Sequence, residues 1–488
     1  MIVGRTESLC PVCLRRLPAE LLQDGQTIRL RRVCPEHGET TTDVWHGPPD
    51  YVAWTSVMDA TSVPGGACPT ACGLCADHQQ ETCCVLVEVT AACDLGCPVC
   101  FAQSGPAGSA DPSRDEVARS FEFLLSVAPG CNVQLSGGEP TLRDDLPDLV
   151  AAGRRAGLGF FQLNTNGLRL ARDPDYVAAL AGAGLDVVFL QFDGVTRRPH
   201  ELLRGRALLD EKLAAIEACG AAGLGVVLVP TVAEGVNLHE LGALLDLALE
   251  RAPAVRGMHV QPLALFGRYP GEGAASGSRR TTLPDVVRAL AEQSRGRVRL
   301  DDLLPGDCEH ALCSFSREYV RAADGGLMPL EQPVVASCCG GGGKAATLSA
   351  SEKAAHVARR WSLPPVLPTA AGATSCCGTA ADDAFDAALD DLRRRAFTLS
   401  GMAFQDVWSV DLARLRRCYV HVLTRDHRLV PFCAYNLTGS DGRSLPGGRG
   451  SAVTAGVPAS GAPVSAKPAS AARVSAAPSC CAAKGGGA

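Results

Sequence analysis

The chain is 488 residues long, 46% apolar and 20% charged, with aromatics at only 5%. That is the profile of a folded protein of two to four domains, not of a disordered one. Forty-six Lys and Arg against 52 Asp and Glu leave a net charge of -6, which removes the electrostatic argument for a dedicated nucleic-acid or anionic-membrane binder.

The opening MIVGRTESLCPVC has neither the basic nor the apolar region of an export signal, and no run of 18 apolar residues appears. A cytosolic protein without a membrane span is expected. Its 23 cysteines are then the anomaly, because the cytosol keeps thiols reduced. Metal or redox chemistry is the default reading, and a disulfide framework is not.

In chain order, residues 1–80 are cysteine-rich, with short strand-like runs such as Thr41–Trp45. Cys10-x2-Cys13 and Cys34, with His37 nearby, have the knuckle spacing of a mononuclear zinc or iron site, for which a structural role is expected. Cys68-x3-Cys72-x2-Cys75 follows. These three suit an auxiliary [4Fe–4S] cluster or a structural zinc, with Cys83 or Cys84 as candidate fourth ligand.

Residues 81–305 repeat a strand and then a helix. Apolar strand runs fall at Val85–Val89, Cys131–Leu135, Phe160–Leu163, Val187–Gln191, Val226–Val229 and Met258–Gln261. Helical spacing fills Pro174–Ala183, Leu208–Ala222 and Leu238–Arg251. The alternation predicts a parallel sheet with crossover helices, whose functional loops sit at the C-terminal strand ends. Cys131, Cys219 and His259 read as packed core residues.

The stretch 306–436 is irregular. It has the Cys338-Cys339 and Cys376-Cys377 pairs, one helix at Asp382–Phe397 and a strand pair at Cys418–Leu423 and Leu429–Tyr435. Residues 437–488, rich in Ala, Ser, Gly and Pro, are expected to form a disordered tail.

The chemistry centres on Cys93-x3-Cys97-x2-Cys100, directly after the first strand of the repeat. Three thiolates can hold three irons of a [4Fe–4S] cube and leave the fourth open. The next strand ends in Gln134-Leu135-Ser136-Gly137-Gly138-Glu139-Pro140, a tight turn presenting one carboxylate. Such a turn suits a ligand ammonium beside a cluster.

Cys93-x3-Cys97-x2-Cys100 followed by Ser136-Gly137-Gly138-Glu139-Pro140 resembles the radical S-adenosylmethionine superfamily, over residues 84 to 305. The resemblance implies a partial (β/α)6 barrel, behind a cysteine-rich N-terminal metal-binding segment and ahead of the irregular C-terminal region. It implies a [4Fe–4S] cluster and S-adenosylmethionine, cleaved reductively to a 5'-deoxyadenosyl radical that takes hydrogen from an unknown substrate. A reducing partner such as ferredoxin or flavodoxin is implied too. By the same resemblance Glu139 would bind the methionyl ammonium, presented by the cofactor-binding turn Gly137-Gly138, with Asn164, Asn166, Gln191 and Asp193 in the ligand's reach. The family usually has an aromatic residue before the third cysteine, where Val99 stands here.

Cys10-Pro11-Val12-Cys13, Cys34-Pro35-Glu36-His37-Gly38, the Cys68 triplet, Gln191-Phe192-Asp193-Gly194 and Val229-Pro230-Thr231 are together similar to the tetraether lipid synthase and pterin-methylase-like branch. The Cys-Cys-Gly sequences after residue 306 look more like TrsS-type radical S-adenosylmethionine (seleno)proteins. The alternative from a different class is a non-catalytic iron–sulfur or zinc protein that carries electrons or metal. An open fourth iron separates the two.

Overall fold

The computed structural model describes residues 1–56, 78–106, 110–269, 279–306, 310–330, 360–363 and 380–449. The Cys68, Cys72 and Cys75 triplet lies outside these residues, as do the Cys338-Cys339, Cys376-Cys377 and Cys480-Cys481 pairs.

The N-terminal segment is an antiparallel meander of β1 (Ile2–Leu9), β2 (Arg16–Asp24), β3 (Thr27–Cys34) and β4 (Gly38–His46), in that order. Period-two alternation puts Ala19 and Leu21 of β2 and Ile28 and Leu30 of β3 in one core with Trp45. The meander docks on the rest of the chain through buried polar groups. Arg32 donates to the carbonyls of Val407 and Trp408, and His46 sits 2.8 Å from a carboxylate oxygen of Asp285.

The six expected parallel strands form as β5 (Cys84–Thr90), β6 (Asn132–Gly137), β7 (Phe161–Thr165), β8 (Val187–Gln191), β9 (Gly225–Val229) and, past the two-residue β10 (Thr231–Val232), β11 (Val255–Pro262). They pair in chain order. The crossovers are α2 (Arg114–Val127), α3 (Leu146–Ala156), α4 (Pro174–Gly182), α5 (Arg197–Arg204), α6 (Leu209–Ala221) and α7 (Leu241–Glu250), with the short α1 (Tyr51–Thr55) before the barrel. Local chemistry starts these helices: Ser113 and Glu116 form a reciprocal capping box on α2, and Asp173 caps α4 ahead of Pro174. Val133, Leu135, Leu163, Val188, Leu190 and Val226 point outward into the helix layer, each fully buried side chain contributing about 1.5–3 kcal/mol. The alternate residues point into the barrel lumen.

The C-terminal region is more ordered than its composition suggests. β12 (Leu304–Pro305), β13 (Ser314–Arg321), β14 (Leu327–Pro329) and β15 (Ala396–Met402) extend the sheet beyond β11, with β15 parallel to it. At the opposite edge β16 (Val420–Leu423) pairs parallel with β5 and antiparallel with β17 (Leu429–Pro431). Among the described residues the sheet thus has 13 strands. The expected Leu429–Tyr435 strand stops at Pro431, which has no N–H for a ladder, and a short helix, Phe432–Asn436, follows.

One expectation needs correction. Residues 437–449, placed in the tail, are packed: Leu437 and Leu445 are buried, and Arg449 donates to Asn436 and pairs with Glu88 on β5. Two leucines and one paired guanidinium anchor a stretch that composition averaged over fifty residues hides. Residues 450–488 lie outside the described set. No helix among the described residues is long and apolar enough to cross a membrane.

Candidate active site at the mouth of the barrel

A cavity of about 300 Å³ runs through the barrel. Cys93, Cys97 and Cys100 line its mouth together with Gly137, Gly138, Glu139 and Asn166, all at the C-terminal strand ends. Asn164 and Gln191, the last inward side chains of their strands, line it just below.

Three attachments hold the cysteine loop. The first is the Gly-Gly turn: Gly138 N donates to Thr90 O and Glu139 N to Ala92 O, both at 2.8 Å. A methyl group at Gly137 would overlap the Thr90 carbonyl oxygen, and one at Gly138 that of Ala92. Gly137 also has φ +122°, so both glycines are required by close approach. The second is Arg268, whose backbone bridges Cys100 in both directions while its guanidinium donates to Cys97 O at 2.7 Å and Ser104 O at 2.9 Å. The third is Arg204 on α5, donating to Val99 O at 3.2 Å. Burial pushes the Cys93 thiol up to about 12 and raises that of Cys97, although the Arg204 cation opposes it at Cys97. These thiols stay protonated until a metal takes their protons' place.

Glu139 is 2% exposed, so its carboxylate is cut off from water. Oε1 accepts from Thr141 N at 3.0 Å, Thr141 Oγ1 at 2.5 Å and Thr165 Oγ1 at 2.6 Å; Oε2 accepts from Asn166 N at 2.7 Å. Burial raises its pKa and these four bonds lower it. Oε1 thus carries three donors and Oε2 only one, so Oε2 retains room for one more. Such a charge in an enclosed site favours a cationic partner.

The other predicted residues divide. Asn164 lies in an amide row on the lumen wall, accepting from Gln162 at 2.9 Å and donating to Gln134 at 3.2 Å. Asn166 donates to Asp94 at 2.7 Å and accepts from Leu168 N. Gln191 turns its amide oxygen to the Arg204 guanidinium, at 2.8 and 2.9 Å, in preference to Lys212 Nζ at 3.5 Å. Asp193 is not on the cavity wall. It is fully buried behind it, with both oxygens on Arg204 at 2.7 and 2.8 Å, because a buried carboxylate needs its counter-charge. Burial raises its pKa, but the Arg204 guanidinium outweighs that and lowers it. The cavity-facing residue is Arg204, which nothing in the Gln-Phe-Asp-Gly motif signals. Arg268 was equally hidden, and only the structure brings it to the cysteines. Cys131 and Cys219 are buried as expected. His259 is not simply a core residue, since it lines the cavity.

A second centre lies in the meander. Cys10, Cys13, Cys34 and His37 bring one ligand atom each to within 4.8 Å of one another, the one such group among the described residues. Cys10 Sγ and Cys34 Sγ stand 3.6 and 3.5 Å from His37 Nδ1, and the Cys34 thiol is lowered to about 6. A closed Cys3His set is the ligand chemistry of structural zinc.

The parallel barrel sheet, a cysteine triplet at its mouth and an enclosed carboxylate beside it define a radical S-adenosylmethionine enzyme. Residues 87–248 match the family described as the radical SAM superfamily, and residues 2–46 match the N-terminal zinc ribbon of the HMPTM type. The 7,8-dihydro-6-hydroxymethylpterin dimethyltransferase of Methanocaldococcus jannaschii is 31% identical over 474 residues, covering 88% of this chain and 93% of that protein. GTP 3',8-cyclase of Edwardsiella ictaluri is 29% identical over 262 residues, 52% of this chain and 74% of its own. Streptococcus suis SuiB bound to S-adenosylmethionine overlaps 43% of this chain and 46% of its own, with TM-score 0.36 and 16% identity. The chain belongs to the radical S-adenosylmethionine superfamily, in the family of the dihydropterin dimethyltransferase.

Proposed function

We propose that this enzyme works on an uncharged, ring-shaped small molecule of the dihydropterin kind, held in the barrel lumen below the cysteine triplet. Cys93, Cys97 and Cys100 would hold the [4Fe–4S] cluster, and Glu139 Oε2 would accept from the methionyl ammonium of S-adenosylmethionine. The donor set supports this fit: three cavity-lining thiols, a Gly137-Gly138 cradle without room for Cβ atoms, and a carboxylate with one open acceptor site. When bound, cluster and S-adenosylmethionine supply a one-electron reductive cleavage to methionine and a 5'-deoxyadenosyl radical. The chain's own residues do the rest. Arg268 and Arg204 fix the cysteine loop, Asn166 ties it to the β7 end through Asp94, and the enclosing sheet keeps bulk water from the reacting carbon.

The observation that carries the substrate class is the charge of the lumen. Among the described lining residues, Glu139 and Arg204 are the charged side chains, both near the mouth, and Arg204 is committed to Asp193. Below them lie Asn132, Gln134, Gln162, Asn164 and Gln261 with apolar neighbours. Burying a charged group without a counter-ion is costly, so a triphosphate such as the GTP named for the cyclases is poorly served here. Amides, which donate and accept, suit the alternating edge of a neutral heterocycle. An auxiliary cluster on Cys68, Cys72 and Cys75, a zinc ion on Cys10, Cys13, Cys34 and His37, a cytosolic setting and a ferredoxin or flavodoxin donor complete the proposal.

The test is anaerobic turnover of the reconstituted full-length protein with reductant and S-adenosylmethionine. Adding 7,8-dihydro-6-hydroxymethylpterin should raise 5'-deoxyadenosine release several-fold, and deuterium placed on the pterin should appear in the 5'-deoxyadenosine by mass spectrometry. Stimulation by GTP and none by the pterin would overturn the substrate class.

A further inference from the structure

The floor of the lumen carries three aromatic side chains that no role above uses. Phe189 on β8 and His259 on β11 point inward, two residues and therefore about 7 Å below Gln191 and Gln261. Trp361 reaches the same wall from the short C-terminal stretch 360–363. Phe189 and Trp361 meet with ring centroids 4.7 Å apart at 66°; His259 stands 5.9 Å from Phe189 and 6.4 Å from Trp361.

The stretch bearing Trp361 is anchored. Gly225, at the start of β9, leaves space for its backbone that a Cβ would fill: that atom would meet the Trp361 carbonyl oxygen and the Leu363 nitrogen. Arg256 donates to Arg360 O at 3.3 Å, and Arg360 pairs with Glu318 on β13. Two polar atoms of this floor are unspent. The Trp361 indole N–H is buried with no acceptor among the described residues, which is costly unless a ligand supplies one. His259 bonds Ser400 through Nδ1 at 3.0 Å, which leaves Nε2 free for a cavity ligand. Its imidazole is enclosed by protein and burial lowers its pKa to about 4, so the ring there is neutral.

We infer that Phe189, His259 and Trp361 form the seat for the flat ring of the substrate, with Trp361 Nε1 and His259 Nε2 reading polar atoms on its edge. The seat deepens the proposed function and rests on its placing of the substrate in the lumen. It takes uncharged fused heterocycles: aromatic walls supply the stacking surface, and the two polar atoms select rings with an acceptor and a second hydrogen-bonding atom on one side. Trp361, from outside the six-stranded repeat, makes the C-terminal region part of substrate recognition.

The experiment is tryptophan emission of the full-length reconstituted protein titrated with four probes: 7,8-dihydro-6-hydroxymethylpterin, lumazine, guanine and GTP. The chain has four tryptophans, so a local change can be isolated by substitution. Neutral rings should quench emission, and Trp361→Phe should remove that quenching while the cluster absorbance persists. Trp361→Ala and His259→Ala should each weaken neutral-ring binding, read by equilibrium dialysis, by about tenfold or more, with His259→Asn restoring part of it because an amide keeps the edge contact. Equal binding of GTP and guanine, or quenching unchanged in Trp361→Phe, would overturn the seat. So would full affinity in His259→Ala and Trp361→Ala. If guanine or lumazine binds through Trp361 and the dihydropterin does not, the seat stands and the pterin assignment falls.

Discussion

The two cysteine centres of this chain are built in opposite ways. In the zinc ribbon, two knuckles from adjacent hairpin ends bring four ligands together, and one small meander holds the whole set. At the barrel mouth, three cysteines from one loop gain their positions from partners far along the chain: Gly138, Arg204 and Arg268. A closed set of four saturates a metal and stabilises a fold. An open set of three leaves a coordination site, and the scaffold around it must come from elsewhere. Spare coordination goes with long-range construction.

The sharpest way to break this comparison is to empty each centre separately. Replacing Cys93, Cys97 and Cys100 by Ala should remove about four irons per chain and abolish 5'-deoxyadenosine formation, with ribbon metal retained. Replacing Cys34 and His37 should release the ribbon metal while the iron–sulfur absorbance survives. Metal analysis of both proteins decides it, and loss of every metal in either one would show that the centres assemble as a unit.

Gly138→Ala probes the scaffold. Its Cβ has no free direction, so the Ala92 loop must shift, costing about 1–3 kcal/mol in overpacking strain. The cysteines are untouched, so iron should remain while S-adenosylmethionine affinity and turnover fall. Equilibrium binding to the reconstituted variant measures this. Unchanged affinity would show that the turn does not set the site.

How much was legible beforehand follows the same division. Local features could be read: the knuckles at Cys10 and Cys34, the six apolar strand runs, the Gly-Gly-Glu turn after β6. Each depends on neighbours a few residues away. Arg204, Arg268, Trp361 and the pairing of β15 with β11 and of β16 with β5 could not, because each acquires its role from a partner a hundred or more residues distant or from a register no local pattern states. Asp193 shows the intermediate case. Its motif was visible and it was expected in the ligand's reach, but its carboxylate faces Arg204 and not the cavity. Whether a strand-end side chain turns to ligand or to scaffold depends on a counter-charge supplied by another helix.

That case yields the next prediction. Asp193→Asn leaves the Arg204 guanidinium buried without its carboxylate, and breaking such a pair costs about 3–5 kcal/mol. Thermal unfolding should fall accordingly, and turnover should drop through a displaced Arg204 and cysteine loop. Asp193→Glu, which keeps the charge, should recover part of the activity. An Asn variant of native stability and activity would place the burden of holding Arg204 on Gln191, Thr231 and Val99 alone.

The smallest effect belongs to the joint between ribbon and barrel. Asp285 is 3% exposed and meets His46 of β4 at 2.8 Å, Thr282 at 2.6 Å and Arg279 at 2.7 Å. Burial raises its pKa, but the bonds from His46 and Thr282 outweigh it, so the folded value lies well below the ordinary 3.8. A carboxyl depressed on folding adds stability above its unfolded pKa and loses it as pH falls through the folded one. The joint should therefore hold at neutral pH and weaken only in strong acid, below about pH 4. Asp285→Asn keeps a hydrogen-bonding group of the same shape but removes the charge, so it should abolish that acid-dependent component. Limited proteolysis between residues 46 and 78, followed against pH, reads the joint directly. Cleavage that rises in acid for the native chain and shows no such rise for the variant is expected. An identical acid dependence in both would move the coupling from Asp285 to the other carboxylate of the joint, Glu7 of β1 on Arg416.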